Sequence, residues 1–286
     1  MENDYLLEKV LKDGDSGLHK RMRESVFVLK TMLWSFLDRF PRFTDHSLLH
    51  SMSVIDYCNR IIGPEQVAKL CPEECYVLLM ACYLHDIGMG INDKDVEAFS
   101  EKIDFGDYLE NHELNDAHTV RAFHHEYSGL FIEKYAALFD FPSVELTYAI
   151  IQTSRGHRKT DLFDENEYYN IQAGSAVIRT PYLAAVIRIA DEIDVASDRN
   201  PEFLFDTSGL TDACDIEAFG THESILRVEV EGDEIQLYVR PKSEEYVSLL
   251  DDIRDTIQGK LDYCREVAEK RSDLRIMQNK VVLIDT

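Results

Sequence analysis

Val77-Leu78-Leu79-Met80-Ala81-Cys82-Tyr83-Leu84-His85-Asp86-Ile87-Gly88 decides how this chain is read. An apolar helical run ends on a histidine beside an aspartate. Neither side chain is stable in apolar surroundings without a partner. A metal ion is one such partner, because it takes imidazole nitrogen and carboxylate oxygen together. Two further residues have the same awkward placement. His50 lies inside a predicted helix, and Asp191 follows the apolar run Leu183 to Ala190. His50, His85, Asp86 and Asp191 thus form a candidate mixed nitrogen and oxygen shell from three helices. Such a set suits Mn, Fe, Ni, Zn or Mg, and differs from a thiolate structural-zinc set.

The surrounding pattern is mostly helical from about residue 16 to 200. Val26, Leu29, Leu33, Phe36, Leu37 and Phe40 recur at helical spacing until Pro41. Thr44 or Asp45 can cap the next helix, which runs to Ile62 and breaks at Gly63-Pro64. Pro72 suits the first turn of the helix that ends at His85. Residues 88–111 read as a long connection with one short helix, and helices are expected over 116–139, 143–154 and 180–197.

After residue 203 the period changes. Ile225 to Val230 and Ile235 to Val239 partly alternate, with the turn signal Glu231-Gly232-Asp233-Glu234 between them. An amphipathic helix over 244–270 and a strand over 280–284 follow. The expected architecture is mainly α: a helical domain over 1–203 and a small α/β (ββαβ) subdomain over 204–286.

Bulk properties narrow the class. The 286 residues suffice for one large domain with a small appendage. A net charge of −24 repels polyanions, which argues against long nucleic acid as a partner. Six cysteines, Cys58, Cys71, Cys75, Cys82, Cys214 and Cys264, lack the paired spacing of a zinc site and are read as reduced. The N-terminus has no leader-like pattern, and no apolar stretch reaches about 18 residues. The expectation is a soluble cytoplasmic protein without membrane association.

The order His50, then His85-Asp86, then Asp191 resembles the HD superfamily of metal-dependent phosphohydrolases. His50-Ser51-x-x-Val54 is similar to its first-histidine helix, Leu84-His85-Asp86-Ile87-Gly88 to its name-giving motif, and Arg188 to Asp194 to its last-ligand helix. The resemblance covers about residues 40–200. It implies an HD-domain helical bundle with one or two divalent ions. It also implies cleavage of a phosphoester or phosphoanhydride bond by metal-bound hydroxide, with Asp86 among the catalytic residues.

His124-His125-Glu126-Tyr127-Ser128 resembles the His-Glu-x-Ser stretch of dNTP triphosphohydrolases in that superfamily, which implies that His125 and Glu126 assist catalysis. His125 with Gly129 also resembles the third histidine of dinuclear HD phosphodiesterases, with His157 as its partner on a second ion. The tandem histidines leave a one-residue ambiguity, in which the family pattern favours His125 over His124. The chain departs from two subfamilies: there is no Gly-Tyr-Pro near His157, and no Glu-Asp pair just after His85-Asp86.

A phosphohydrolase also needs cations to hold phosphate. Arg155, Arg158 and Lys159 form a basic island around His157, Arg121 lies one turn before His124, and His46 one turn before His50. These five are the candidate substrate contacts. The expected function is hydrolysis of a small phosphorylated substrate, a nucleotide, with a homodimer allowed. The alternatives are a non-catalytic, metal-stabilised nucleotide-sensing or scaffolding module, and a single-strand nuclease, which the acidic charge disfavours.

Overall fold

A helix that is apolar on every side has to be enclosed on every side. The helix Pro72–Leu84 is of that kind, since every residue from Glu74 to Leu84 is buried. The computed structural model describes residues 5–32, 48–196, 224–241 and 243–286. In chain order its helices are α1 (Leu6–Gly14), α2 (Ser16–Met32), α3 (Leu48–Ile62), α4 (Pro64–Val67), α5 (Pro72–Leu84), α6 (Asp93–Ser100), α7 (Ala117–Tyr135), α8 (Val144–Arg155), α9 (Thr180–Glu192) and α10 (Glu244–Arg271). The helices α1, α2, α3, α8 and α9 pack around α5. The protein is mainly α-helical with small sheets.

Both ends of α5 are fixed by polar contacts. At the N-terminal end, Glu74 is 1% exposed and accepts the Cys71 N–H at 3.1 Å. The Arg179 guanidinium forks onto both Glu74 oxygens at 2.7 Å. That pair ties the first turn of α5 to the residue before α9, and its bidentate geometry favours arginine.

At the C-terminal end the chain turns sharply through a 3-10 turn, Ile87–Gly90, that packs on α7. The Gly88 N–H donates to Ser128 Oγ at 2.9 Å, and the Ser128 hydroxyl donates to the His85 carbonyl at 2.5 Å. A Cβ on Gly88 would stand 2.2 Å from the His124 carbonyl oxygen and 2.6 Å from the Ser128 nitrogen. Only glycine lets the two backbones approach this closely. Gly88→Ala is therefore expected to lower stability by about 2 kcal/mol or more, the scale of forced overpacking. Chemical denaturation checks this; an unchanged midpoint would contradict it.

Strands β1 (Ile171–Ala173) and β2 (Ala176–Ile178) form an antiparallel hairpin that turns at Gly174, with φ of 59°. This hairpin lies between two expected helices, within a region read only as mostly helical. Three-residue strands are too short to show a period, and only Gly174-Ser175 signals the turn. The expected helix over 116–139 ends at Tyr135, followed by the 3-10 turn Ala136–Leu138, and the one over 180–197 ends at Glu192.

The C-terminal elements match the period change. Strands β3 (Ile225–Glu231) and β4 (Glu234–Val239) are antiparallel, with Val228 opposite Leu237. Strand β5 (Lys280–Asp285) lies parallel to β4, with Leu237 opposite Leu283. Parallel neighbours need a crossover, and α10 supplies it. That helix also packs along α9.

Several expectations fall outside the described residues: His46, the helix positions Leu33 to Phe40, Pro41, the caps Thr44 and Asp45, Cys214 and the domain boundary after residue 203. Among the described residues Cys58, Cys71, Cys75, Cys82 and Cys264 are free, and no single helix is long and apolar enough to cross a membrane.

Candidate metal centre

Six elements deliver side chains to one buried point. His50 comes from α3, His85 caps α5, Asp86 opens the turn after it, His124 comes from α7, and His157 lies just past α8. Asp191 comes from the last turn of α9. His50, His85, Asp86, His124 and His157 are each at most 6% exposed.

The hydrogen bonds decide which ring nitrogen faces inward. Nδ1 of His85, His124 and His157 meets the carbonyl three residues earlier: Cys82 at 2.9 Å, Arg121 at 2.6 Å and Ser154 at 2.5 Å. Nδ1 of His50 meets Asp194 Oδ2 at 2.6 Å. Carbonyls and carboxylates only accept, so each Nδ1 carries a hydrogen and each neutral ring presents its Nε2 lone pair.

Those lone pairs face one another in two couples. His50 Nε2 is 3.1 Å from His85 Nε2, and His124 Nε2 is 2.8 Å from His157 Nε2. Two lone pairs at that distance repel unless a cation lies against both. Nitrogens about 2.1 Å from a shared ion stand about 3 Å apart when they are cis ligands, which fits both couples.

The carboxylates complete two groups. Asp191 Oδ1 lies 3.2 Å from His50 Nε2 and 3.6 Å from His85 Nε2. Asp86 divides its oxygens: Oδ2 is 3.4 Å from both His50 and His85, while Oδ1 is 3.1 Å from His124 and 3.7 Å from His157. The groups His50–His85–Asp191 and Asp86–His124–His157 each have the donors and spacing to hold a divalent ion. Asp86 joins them.

Electrostatics agree with a site built for positive charge. Burial opposes charge on His85, but the Asp86 and Asp191 carboxylates outweigh it and push its pKa well above the ordinary value. Burial likewise works against the Asp191 carboxylate, yet His50 and His85 hold its pKa well below the usual range. Burial, then His85 and His124, press His157 well below the ordinary value, so it is a neutral donor.

The structure separates the predicted residues into those it brings together and those it does not. His50, His85, Asp86, Asp191 and His157 converge. The choice of His125 as a ligand is corrected: His124 Nε2 faces Asp86 and His157, whereas His125 Nε2 is 3.6 Å from Glu126 Oε1 and its Nδ1 is buried without a partner. Burial first, then His124, Arg158, Arg155 and Lys159, push His125 down to about 2, so this ring is neutral.

Arg155 and Glu126 also change roles. Arg155 forks onto Glu126 at 2.8 and 3.0 Å, and its other end binds Gln152 at 2.9 Å and pairs with Glu167. Gly129 makes room for this pair, since a Cβ there would lie 2.7 Å from Arg155 Cδ. Each group is paired with the other, so neither presents an unpaired charge in this structure. Arg121 is exposed, and its carbonyl serves His124. Arg158 is half-buried and Lys159 exposed; neither forms an ion pair within the described residues.

One contributor was missed by sequence reasoning. Asp194 is 2% exposed, accepts from His50 Nδ1, and accepts the Ser53 hydroxyl at 2.8 Å. A carboxylate behind a ligating histidine fixes its tautomer and raises its basicity. Its spacing of three from Asp191, one helical turn on, is the signal that could have found it. Asp194→Asn is expected to weaken metal at the His50 position about 10–100-fold. Calorimetric titration with Mn checks this; unchanged affinity would contradict it.

Fold and site together define a helical protein with a buried histidine–aspartate centre able to hold divalent metal. A family model described as HD-CE matches residues 40–273, and the chain belongs to that family, an HD-type domain. The match runs beyond α9 and takes in all of α10. No curated protein matches the chain significantly.

Proposed function

We propose that this protein is a metal-dependent phosphohydrolase that cleaves a phosphoester or phosphoanhydride bond in a small phosphorylated substrate, a nucleotide. The observation that carries this reading is Asp86, whose two oxygens face two separate couples of imidazole lone pairs. Paired ions sharing a carboxylate suit displacement at phosphorus, because they stabilise the attacking and the leaving oxygen together. Four imidazoles favour a transition ion such as Mn, Fe, Ni or Zn over Mg, which prefers oxygen and keeps its waters.

When bound, the ions would supply Lewis acidity and activate water. The chain's own groups do the rest. His50, His85 and Asp191 would hold one position, and Asp86, His124 and His157 the other, with the second Asp86 oxygen facing the first couple. His125, a neutral ring beside His124, is a candidate to hydrogen-bond the substrate rather than to carry its proton. Arg158 and Lys159 follow directly on His157 and, with Arg121, are the candidate cations to receive phosphate among the described residues, given that Arg155 is bound by Glu126 and Glu167. The strongly negative chain disfavours long nucleic acid as substrate.

A panel of nucleoside mono-, di- and triphosphates and a generic phosphodiester, tested with Mn, Ni and Mg, tests the proposal. Turnover of at least one substrate is expected. Metal and ligand binding with no turnover under any ion would sink the enzyme reading in favour of a sensing module. Arg158→Ala is expected to raise KM about 10-fold or more, the scale of a lost charge-assisted hydrogen bond, with metal content unchanged. Steady-state kinetics with elemental analysis check this; an unchanged KM would remove Arg158 from the phosphate site.

A further inference from the structure

Arg188 is a charged residue 8% exposed inside the apolar run of α9, one turn before Asp191. A buried guanidinium is stable only with its donors satisfied. Here they are taken by the loop that carries His157. Arg188 Nε donates to the Gly156 carbonyl at 2.7 Å, and Nη2 donates to the Thr160 carbonyl at 2.7 Å and to Thr160 Oγ1 at 3.2 Å. Gly156 and Thr160 bracket His157. The α8 helix ends at Arg155, so the carbonyls at this end have no helical partner of their own.

The guanidinium is held from its other side by Tyr263 of α10. Its carbon lies 5.1 Å from the Tyr263 ring centroid, within the range of cation–π attraction. The Tyr263 hydroxyl accepts the Leu162 N–H at 2.7 Å and donates to Asp161 Oδ1 at 3.0 Å. One tyrosine on the C-terminal helix thus grips both Arg188 and the residues just after the loop. Within this clamp His157 points Nε2 at His124 and Asp86. Coordination distances hold within a few tenths of an ångström, so a slack loop would cost that position its ion. Of the other position's donors, His50 and His85 lie on other elements, and Asp191, though it shares α9 with Arg188, is bonded by none of the clamp's hydrogen bonds.

We propose that Arg188 and Tyr263 are positioning residues that set the metal affinity of the Asp86–His124–His157 position, and that α10 thereby governs one half of the centre. The inference rests on the two-ion reading above. Neither residue touches metal or substrate.

The test is calorimetric titration of the full chain with Mn, with elemental analysis and circular dichroism. Arg188→Lys keeps the charge but offers one ammonium, which cannot span two carbonyls and lie flat on a ring. It is expected to weaken one ion about 10–100-fold, the scale of an outer-shell change, and to leave the other unaltered. Tyr263→Phe keeps the ring and loses the hydroxyl, and should shift the same ion in the same direction by less. If Arg188→Lys fails to fold, Tyr263→Phe carries the test. Gln258→Ala is the control, because Gln258 joins α10 to β5 through the Val281 N–H at 2.8 Å and its hydrogen bonds among the described residues go to Asp262, Asn279 and Val281, not to Arg188 or Tyr263.

Equal weakening of both ions, no weakening, or the same selective loss in Gln258→Ala would overturn the clamp. A wild-type chain that binds two ions while Arg188→Lys fails to discriminate defeats only this inference. A wild-type chain that binds one ion or none defeats the two-ion reading as well.

Discussion

Asp86→Ala is expected to cost the protein both ions and to abolish turnover. The substitution removes the one carboxylate whose oxygens reach both couples of histidines. The His124–His157 couple would then keep no carboxylate, and the His50–His85 couple would keep Asp191 alone, without the charge that Asp86 adds between the two halves. Rate losses of about 10²–10³-fold follow when even one group that stabilises a developing oxyanion is removed. Asp191→Ala, by contrast, should empty only the His50–His85 half. Elemental analysis of the purified variants, with hydrolysis assays, separates these outcomes. Retention of both ions in Asp86→Ala would show that the carboxylate does not bridge.

His124→Ala and His125→Ala, adjacent replacements on one helix, should behave in opposite ways. His124 shares the Asp86 Oδ1 side with His157, so its loss should remove one ion and most activity. His125 reaches neither carboxylate of the centre and should leave both ions in place. Its expected loss is kinetic, a fall in kcat of about 10-fold, the scale of one lost hydrogen bond to the substrate. Metal stoichiometry beside kcat for the two variants checks this. Loss of an ion from His125→Ala with full occupancy in His124→Ala would reverse the assignment.

The convergence of His50, His85 and Asp191 was legible because each polar residue interrupts an apolar helix pattern and so demands a buried partner. The C-terminal hairpin, helix and strand were legible from a change of period near residue 203. His124 against His125 was not decided in sequence, because adjacent helical residues point about 100° apart and both are buried. A physical clue was present. His124 lies four before Ser128, and Ser128 clamps the His85 carbonyl, so His124 shares the face that meets the centre. Arg155 looked like a phosphate ligand because its partner Glu126 is 29 residues away, and only the packing of α7 on α8 brings them together. Arg188 gave no hint of its partners for the same reason, since Gly156, Thr160 and Tyr263 meet it only in the folded chain.

The paired centre is tested most directly by the number of Mn ions that the wild-type chain binds at saturation, read by elemental analysis after removal of free metal. Two ions per chain are expected, one for each group of three donors. A plateau at one ion would contradict the bridging role of Asp86, and no bound metal would contradict the centre altogether.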